Sequence, residues 1–318
     1  MNDQSGSAGD QSEAAGALRL EDWGLIRARG DEAASFLHGQ LTQDFAHLPA
    51  DRARLAGYCS AKGRLLASFV GWSAAADELL LACSADLLAP TLKRLSMYVL
   101  RARCKLSEAS AERPLWGLAG QVAQLALGDA ATAPAWGRTR VGDSDVIRLP
   151  DGRVGDRPVP RWLLAGTPPS GLTALAPPIW QGLEASSGVP RIVAATAEQF
   201  VSQMVNLELV GGVAFDKGCY PGQEVVARSQ YRGTVKRRAA LLHTPTLLAP
   251  GQEVFHDADA EQPAGLVVNA GVLPGVGPVA LAELKLAALA GGSLHAGSAQ
   301  GPLLQPGTLP YALPNEAA

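Results

Sequence analysis

The feature that most constrains this chain is a change of pattern just past Arg238. From there the apolar residues fall into short runs, near Ala239–His243, Glu253–His256, Gly265–Asn269 and Val279–Lys285, each bounded by Pro or Gly. Several short runs in succession, with no helical stretch between them, predict a small all-β domain over 239–318, a sandwich or a barrel. Upstream the pattern is mixed. Leu18–Ala28 reads as a strand. Ala33, Phe36, Leu37, Leu41 and Phe45 then form the apolar stripe of an amphipathic helix. Arg54–Ser60, Arg64–Trp72 and Glu78–Ser84 read as a β-meander. Asp86 offers an N-cap to a helix carrying Leu88, Leu92, Leu95 and Val99. From 112 to 178 short apolar runs alternate with Gly/Pro breaks, as in a small α+β unit, and the four prolines of 167–178 suggest a linker or exposed loop. Thr196 and Gln199 fit a capping box ahead of Phe200, Val201, Met204 and Leu207, which predicts a further helix.

At 318 residues the chain is long enough for two or three packed units rather than one small core. Hydrophobic residues are 47% and charged residues 18%, so disorder is not its main state. Residues 1–16 are polar, small and without a basic start or an apolar run. They read as a disordered tail rather than a targeting segment. The two long uncharged stretches, 162–183 and 262–282, are broken repeatedly by Pro and Gly, which argues against a membrane span. Cys59, Cys83, Cys104 and Cys219 form no CxxC pair and have no histidine at zinc-finger spacing, so no metal site is expected. So few cysteines in so long a chain fit a reducing, cytoplasmic setting. No GxxxxGK[ST] occurs, and Gly271–Gly277 lacks the context of a dinucleotide site.

The net charge of −3 argues against bulk electrostatic binding of nucleic acid, but it conceals two basic clusters. Lys93, Arg94, Arg101, Arg103 and Lys105 gather on and after one helix, either as a solvated face or as a contact for an anionic ligand or partner. From Lys217 to Arg238 six bases (Lys217, Arg228, Arg232, Lys236, Arg237 and Arg238) face one acid, Glu224, for a local charge of +5. Cys219 lies inside that stretch, between Gly218 and Tyr220 and two residues after Lys217. A neighbouring cation favours thiolate, the better nucleophile and metal ligand. Glycines there permit a tight turn and close approach. A buried structural cysteine in that turn is the competing reading. A cysteine-protease arrangement is disfavoured, since no histidine and amide are singled out as partners. One thiolate also cannot hold an iron–sulfur cluster alone, so it could at most contribute to a shared or transient one.

The segment KGCYPGQE followed by Arg228 closely resembles the K-G-C-[FY]-x-G-Q-E-x3-R signature of the YgfZ-type proteins. These are folate-binding relatives of the glycine-cleavage T-protein, and they include the mitochondrial factor that helps mature [4Fe–4S] proteins. The resemblance extends over nearly the whole chain, through GDEAASFLHGQLTQD (30–44), YCSAKGR (58–64), MYVLRARC (97–104), GVP (188–190) and QMVNLE (203–208), in the family's order.

The resemblance implies an α+β fold of T-protein type. Two discontinuous, partly ferredoxin-like α+β units would occupy 17–238 around a central hole or cleft, and a C-terminal β-barrel would follow. It implies tetrahydrofolate or a derivative as ligand, with Trp23 and Trp180 at that site, where an indole can stack on or edge a pterin. Arg228 would meet the glutamate tail of the folate, while Lys236 to Arg238 could serve folate, tRNA or an acidic protein. Cys219 would be the functional thiol, with Lys217 and Arg228 setting its electrostatics. Gly218, Tyr220, Gly222, Gln223 and Glu224 belong to the loop that holds it, the glycines shaping that loop and Gln223 and Glu224 ordering it. The T-protein carries an acidic pair in its early meander. By spacing the corresponding positions are Ala67 and Ser68, neither of which can act as an acid. Aminomethyltransferase activity is therefore not expected, and whether the chain is an enzyme at all stays open. The expected role is accessory, in iron–sulfur cluster assembly or repair, with client or carrier proteins as partners and support for radical enzymes that thiolate tRNA. A folate-dependent one-carbon transferase and a tRNA-contacting scaffold are the alternatives.

Overall fold

The computed structural model describes residues 14–232 and 235–314. Two strands open the chain: β1 (Gly16–Arg19) and β2 (Trp23–Arg29). They are not the single strand expected over 18–28, because the chain turns at Glu21-Asp22 and enters a different sheet. The tail expected over 1–16 lies, for residues 1–13, outside the described residues. Ala14 and Ala15 are buried and Gly16 pairs with Ala119, so these three belong to the fold.

The first sheet contains β2 with the meander β3 (Ala53–Cys59), β4 (Leu65–Ala75) and β5 (Glu78–Ser84), and with β6 (Lys105–Glu108). Its order is β3-β4-β5-β2-β6, antiparallel throughout. Side chains alternate between faces along a strand. In β5, Leu79, Leu81 and Cys83 therefore enter one core with Phe36 and Leu37 of helix α1 (Ala33–Gln40), while Leu80 and Ala82 enter another. Helix α2 (Ala85–Tyr98) packs on this sheet too, through Leu87, Leu88 and Leu95. Asp86 does not cap it: Ser84 holds the N-cap position and the Asp86 carboxylate accepts from Ala194 N (2.9 Å).

The second sheet contains β1 with β7 (Leu115–Ala119), β8 (Arg138–Val141), β9 (Ser144–Val154) and β10 (Arg157–Ala165), in the order β1-β7-β10-β9-β8. Helix α3 (Gly120–Leu127) covers one face through Ala123 and Leu127. Helix α4 (Pro177–Ser186) begins inside the stretch expected to be a linker, because Pro177 and Pro178 occupy its first turn, where a missing N–H costs nothing. Since β1 joins the second sheet and β2 the first, the two α+β units interleave in sequence.

Residues 194–207 do not form the expected helix. Two short 3-10 turns, Ala194–Thr196 and Ser202–Val205, flank a backbone bridge from Arg64 to Val201. Leu65 N also donates to Phe200 O, and Asn206 is left-handed (φ 58°). Pairing with the β3–β4 turn outcompetes the helical pattern here. Helix α5 (Gln223–Tyr231) then follows Gly222.

The last unit is a closed antiparallel barrel: β11 (Arg237–His243), β12 (Glu253–His256), β13 (Gly265–Leu273), β14 (Gly277–Lys285), β15 (Leu294–Ala296) and β16 (Leu303–Pro306), in the order β11-β14-β13-β12-β15-β16. Closure leaves no free sheet edge. One core joins all three units, gathering Trp72 and Leu80, Leu163 and Trp180, and Leu241 and Leu281. Among the described residues no helix is long and apolar enough to cross a membrane.

Candidate functional site

The structure brings the sequence blocks together at two places, a thiol loop and an internal cavity. Cys219 is exposed, on the loop that leads into α5. Two glycines hold that loop against the β3–β4 turn. Gly222 and Gly63 both have positive φ (80° and 71°), and a Cβ added to Gly222 would lie 2.8 Å from the Cα of Gly63. At Gly222 the obstacle is backbone, and at Gly63 it is the Val225 side chain (2.8 Å), so neither position has room for a side chain.

Lys217 fixes the loop from the other side. Its Nζ donates to His38 O (2.5 Å) and Leu41 O (2.9 Å), carbonyls at the C-terminal end of α1 that no helical N–H reaches. The same ammonium sits 4.6 Å from the centre of the Tyr220 ring. Burial pushes Lys217 down to about 8, against the opposing pull of Asp44 and Cys219. The sequence reading has Lys217 setting the electrostatics of Cys219. The structure adds a structural duty, clamping the loop to α1. Tyr220 is buried, which raises its phenol above the ordinary value, with Cys59 adding to the effect. Gln223 is half-buried and Glu224 exposed in the first turn of α5.

Next to this loop stands a group that sequence reasoning missed. His38 Nδ1 is 2.8 Å from Asp44 Oδ1, and His47 Nδ1 is 2.9 Å from Asp44 Oδ2. Burial opposes ionisation of Asp44, but hydrogen bonds from His47 and His38 hold it well below the usual carboxylate range. His38 Nε2 lies 3.3 Å from the position a Cβ on Gly218 would take. The histidines looked scattered because Asp44 is reached through a turn after α1, which leaves no periodic spacing to read.

Half of the basic segment is consumed by the fold: Lys217 by the clamp above, Arg237 and Arg238 by acids, while Arg228, Arg232 and Lys236 are exposed. Arg237 forms an ion pair with Glu283 on the barrel, and buried Arg238 pairs with buried Glu208. Of the three bases left open for folate, tRNA or an acidic protein, these two are therefore engaged within the chain, and Lys236 is exposed. Arg228 is exposed on α5. It does not line the three cavities described below.

The second place is a chain of connected cavities. A narrow inner one, with about 30 Å³ of free volume, is lined by Trp23, Ser68, Trp136, Arg161, Glu184 and Arg191, among others. It shares Trp136, Pro150 and Ser187 with an outer cavity of about 400 Å³, which Arg153 and Tyr311 also line. On its other side Glu184 and Arg191 lead to a third cavity of about 170 Å³ against the barrel. The Arg191 guanidinium lies 5.0 Å from the centre of the Trp23 ring and pairs with Asp22 at 2.7 Å. Burial lowers Arg161 to about 10 and pushes the Glu184 carboxyl up, with Arg191 pulling against it. The indole N–H of Trp23 and Nε of Arg191 are buried without partners.

Of the two tryptophans expected at the ligand, only Trp23 lines this cavity. Trp180 is fully buried on α4, packed against Gly117 with Arg161 over its ring at 5.2 Å, and its place is in the core. Trp136 was not anticipated. It precedes β8 in a left-handed conformation (φ 64°), and its backbone bonds to both sheets, to Ala53 N and Arg148 O. Ser68 faces the inner cavity and its Oγ accepts from Ile192 N, whereas Ala67 points into the core. No carboxylate therefore occupies positions 67 and 68. Glu184 is the acid the inner cavity offers instead.

The 203–208 block ties the two places together. Gln203 donates to Val226 O on α5, and Asn206 donates to Ala239 O on the barrel and to the Tyr311 hydroxyl beside the outer cavity.

No family model matches the chain. It is 35% identical over 243 residues to the tRNA-modifying protein YgfZ of Edwardsiella ictaluri (strain 93-146), covering 69% of this chain and 68% of that one. It is 33% identical over 232 residues to the protein of the same name from Sodalis glossinidius (strain morsitans), covering 69% of each. In structure it is similar to the glycine cleavage system aminomethyltransferase T from Bartonella henselae. The TM-score is 0.73 at 18% identity, over 93% of this chain and 86% of that one. That likeness establishes the T-protein-like fold.

Proposed function

The chain belongs to the YgfZ family, and from that premise we propose that it is a folate-binding accessory protein of iron–sulfur cluster assembly or repair, acting in support of tRNA modification. The observation that carries this reading is the cavity chain. Its lining combines two indoles with buried charged groups, and two donors in the inner part lack partners, as a polar heteroaromatic ligand requires. The outer cavity, at about 400 Å³, is within the range of small-molecule sites, whereas the inner one holds little more than a water. A pterin would enter from the outer cavity, edge Trp136 and Trp23, and widen the waist by moving side chains. Trp23 Nε1, Arg191 and Glu184 would meet its polar edge, and Arg153 is placed for an anionic tail. Folate, when bound, supplies a one-carbon carrier. The residues here bind and orient it and keep water from it.

Cys219 acts apart from that cavity, at an exposed loop where a client or carrier protein can reach the sulfur. Its partner chemistry is that of a thiolate beside an ammonium: a nucleophile, or one ligand of a cluster shared with another chain. The experiment is a titration of the purified protein with tetrahydrofolate, followed by intrinsic tryptophan fluorescence. Saturable quenching that weakens at least tenfold in Trp23→Ala and Trp136→Ala is expected. Absence of saturable binding would overturn the folate role.

One observation favours a second reading, a folate-dependent one-carbon transferase: Glu184 gives the inner cavity a carboxyl whose ionisation burial disfavours. Turnover of methylene-tetrahydrofolate with an amine donor, lost in Glu184→Gln, would establish it. Lack of turnover alongside saturable binding supports the accessory role.

A further inference from the structure

Helix α2 ends at an exposed apolar group. Met97 is 60% exposed, Tyr98 47% and Leu100 86%, all within four residues. Leu100 also has φ 41°, in the left-handed region that a non-glycine residue rarely adopts. A leucine held outward at the expense of backbone strain is a feature that folding alone does not call for, and such strain concentrates at functional surfaces.

The charges around it are uncompensated. No acid occurs between Leu87 and Lys105. Arg94 hydrogen-bonds the Tyr58 hydroxyl, and Arg103 pairs with Asp31 and Glu32. Lys93 and Arg101 are exposed and have no ion pair among the described residues. A helix C-terminus favours nearby cations, which accounts for bases here but not for three exposed apolar side chains.

A chain of contacts leads from this helix to the thiol loop. Arg94 and Tyr98 both act on the Tyr58 hydroxyl, Tyr58 bridges to Leu41, and the Leu41 carbonyl accepts from Lys217.

We propose that Met97, Tyr98 and Leu100, rimmed by Lys93 and Arg101, are the docking surface for a protein whose apolar contact is ringed by acidic side chains. The inference rests on the accessory role and gives its client a location. Protein interfaces are enriched in Tyr, Met and Arg, and a polar rim surrounds their apolar centre. Nucleic acid fits the patch poorly. Aliphatic Met97 and Leu100 offer nothing to a phosphate, and the three exposed bases without an ion pair among the described residues (Lys93, Arg101 and Lys105) fall well short of the roughly six to ten phosphate contacts of a strongly salt-dependent binder.

The test uses the full chain in living cells of its native host, with the photo-crosslinking residue p-benzoylphenylalanine at position 100 and, as control, at exposed Leu303 of the barrel. The expected result is a protein adduct at 100 and not at 303, identified by mass spectrometry as a protein with an acidic face. Its yield should drop at least tenfold in the Lys93→Glu, Arg101→Glu double variant. Both positions are exposed, so the thermal midpoint and the folate titration of that variant should match the parent. No adduct beyond the control, an adduct insensitive to charge reversal, an adduct to RNA or one to a second copy of this chain would each overturn the docking surface. The two readings fail separately. If no adduct forms but Cys219→Ala still lowers cluster-enzyme activity, the surface is wrong and the accessory role stands. An acidic, charge-sensitive partner unconnected with iron–sulfur proteins keeps the surface and removes the accessory role.

Discussion

At the scale of single residues the four cysteines separate cleanly. Burial pushes Cys59 and Cys83 up to about 12, and Cys104 is half-buried and raised as well. Cys219 alone among them is exposed. A disulfide reagent at pH 8 should therefore modify one thiol rapidly in the native protein. Cys219→Ala should abolish the fast phase and leave the melting curve unchanged; two or more fast thiols would refute this ordering. Lys217 makes a pH prediction. Burial lowers it in the folded state to about 8 from its ordinary 10.5, so between those pH values the unfolded chain binds more protons than the folded one. Its contribution to stability thus rises with pH across that window, a cost relieved as the ammonium loses its proton. Tyr220 stays neutral there, because burial raises it. Comparing urea midpoints from pH 7.5 to 10.5, Lys217→Met should lack a rise that the parent shows. Parallel profiles would show that Lys217 does not titrate as described.

At the scale of elements, the contact between the β3–β4 turn and the start of α5 decides whether the thiol is presented at all. A side chain at position 222 would press on the Gly63 backbone and would also have to adopt a φ of 80°. Gly222→Ala should cost about 1–3 kcal/mol and loosen the loop. Chemical denaturation would show the loss, and hydrogen exchange should show faster exchange in α5 with the barrel strands unaffected. Gly211, also at positive φ but with nothing within reach of a Cβ, isolates the conformational cost alone. An equal loss in Gly211→Ala would mean that the contact adds nothing. The meander and the barrel strands were legible in the sequence because an alternating or short apolar run bounded by turn residues is a local signal. The helix expected after Thr196 was not there, since Arg64 and Leu65 supply backbone partners to Val201 and Phe200 from far earlier in the chain. No window on the sequence contains that competition.

At the scale of the whole molecule the three units share one core, and the cavity chain runs beside it. Trp23 and Trp180 illustrate the division. Trp180→Ala should leave a void in that core and cost about 3–5 kcal/mol, measured by denaturation, while changing folate affinity little in the fraction that stays folded. Trp23→Ala should do the reverse. If Trp180→Ala weakened binding as much as Trp23→Ala at unchanged stability, the assignment of the two indoles would be wrong.

What the sequence determined by itself is therefore local and covalent: the strand-and-turn rhythm of the barrel, the early meander, the Lys217–Arg228 motif, and the missing acids at Ala67 and Ser68. These follow from residue type at fixed spacing. The tertiary structure decided which side chains share a space. It placed Trp136, Arg161, Glu184 and Arg191 at one cavity, set His38 and Asp44 beside the thiol loop, and sent Trp180 into the core. It also turned a +5 segment into two ion pairs with acids from elsewhere in the chain. Burial and long-range pairing set those outcomes, and both depend on where the remote parts of the chain come to lie rather than on the residues next in line.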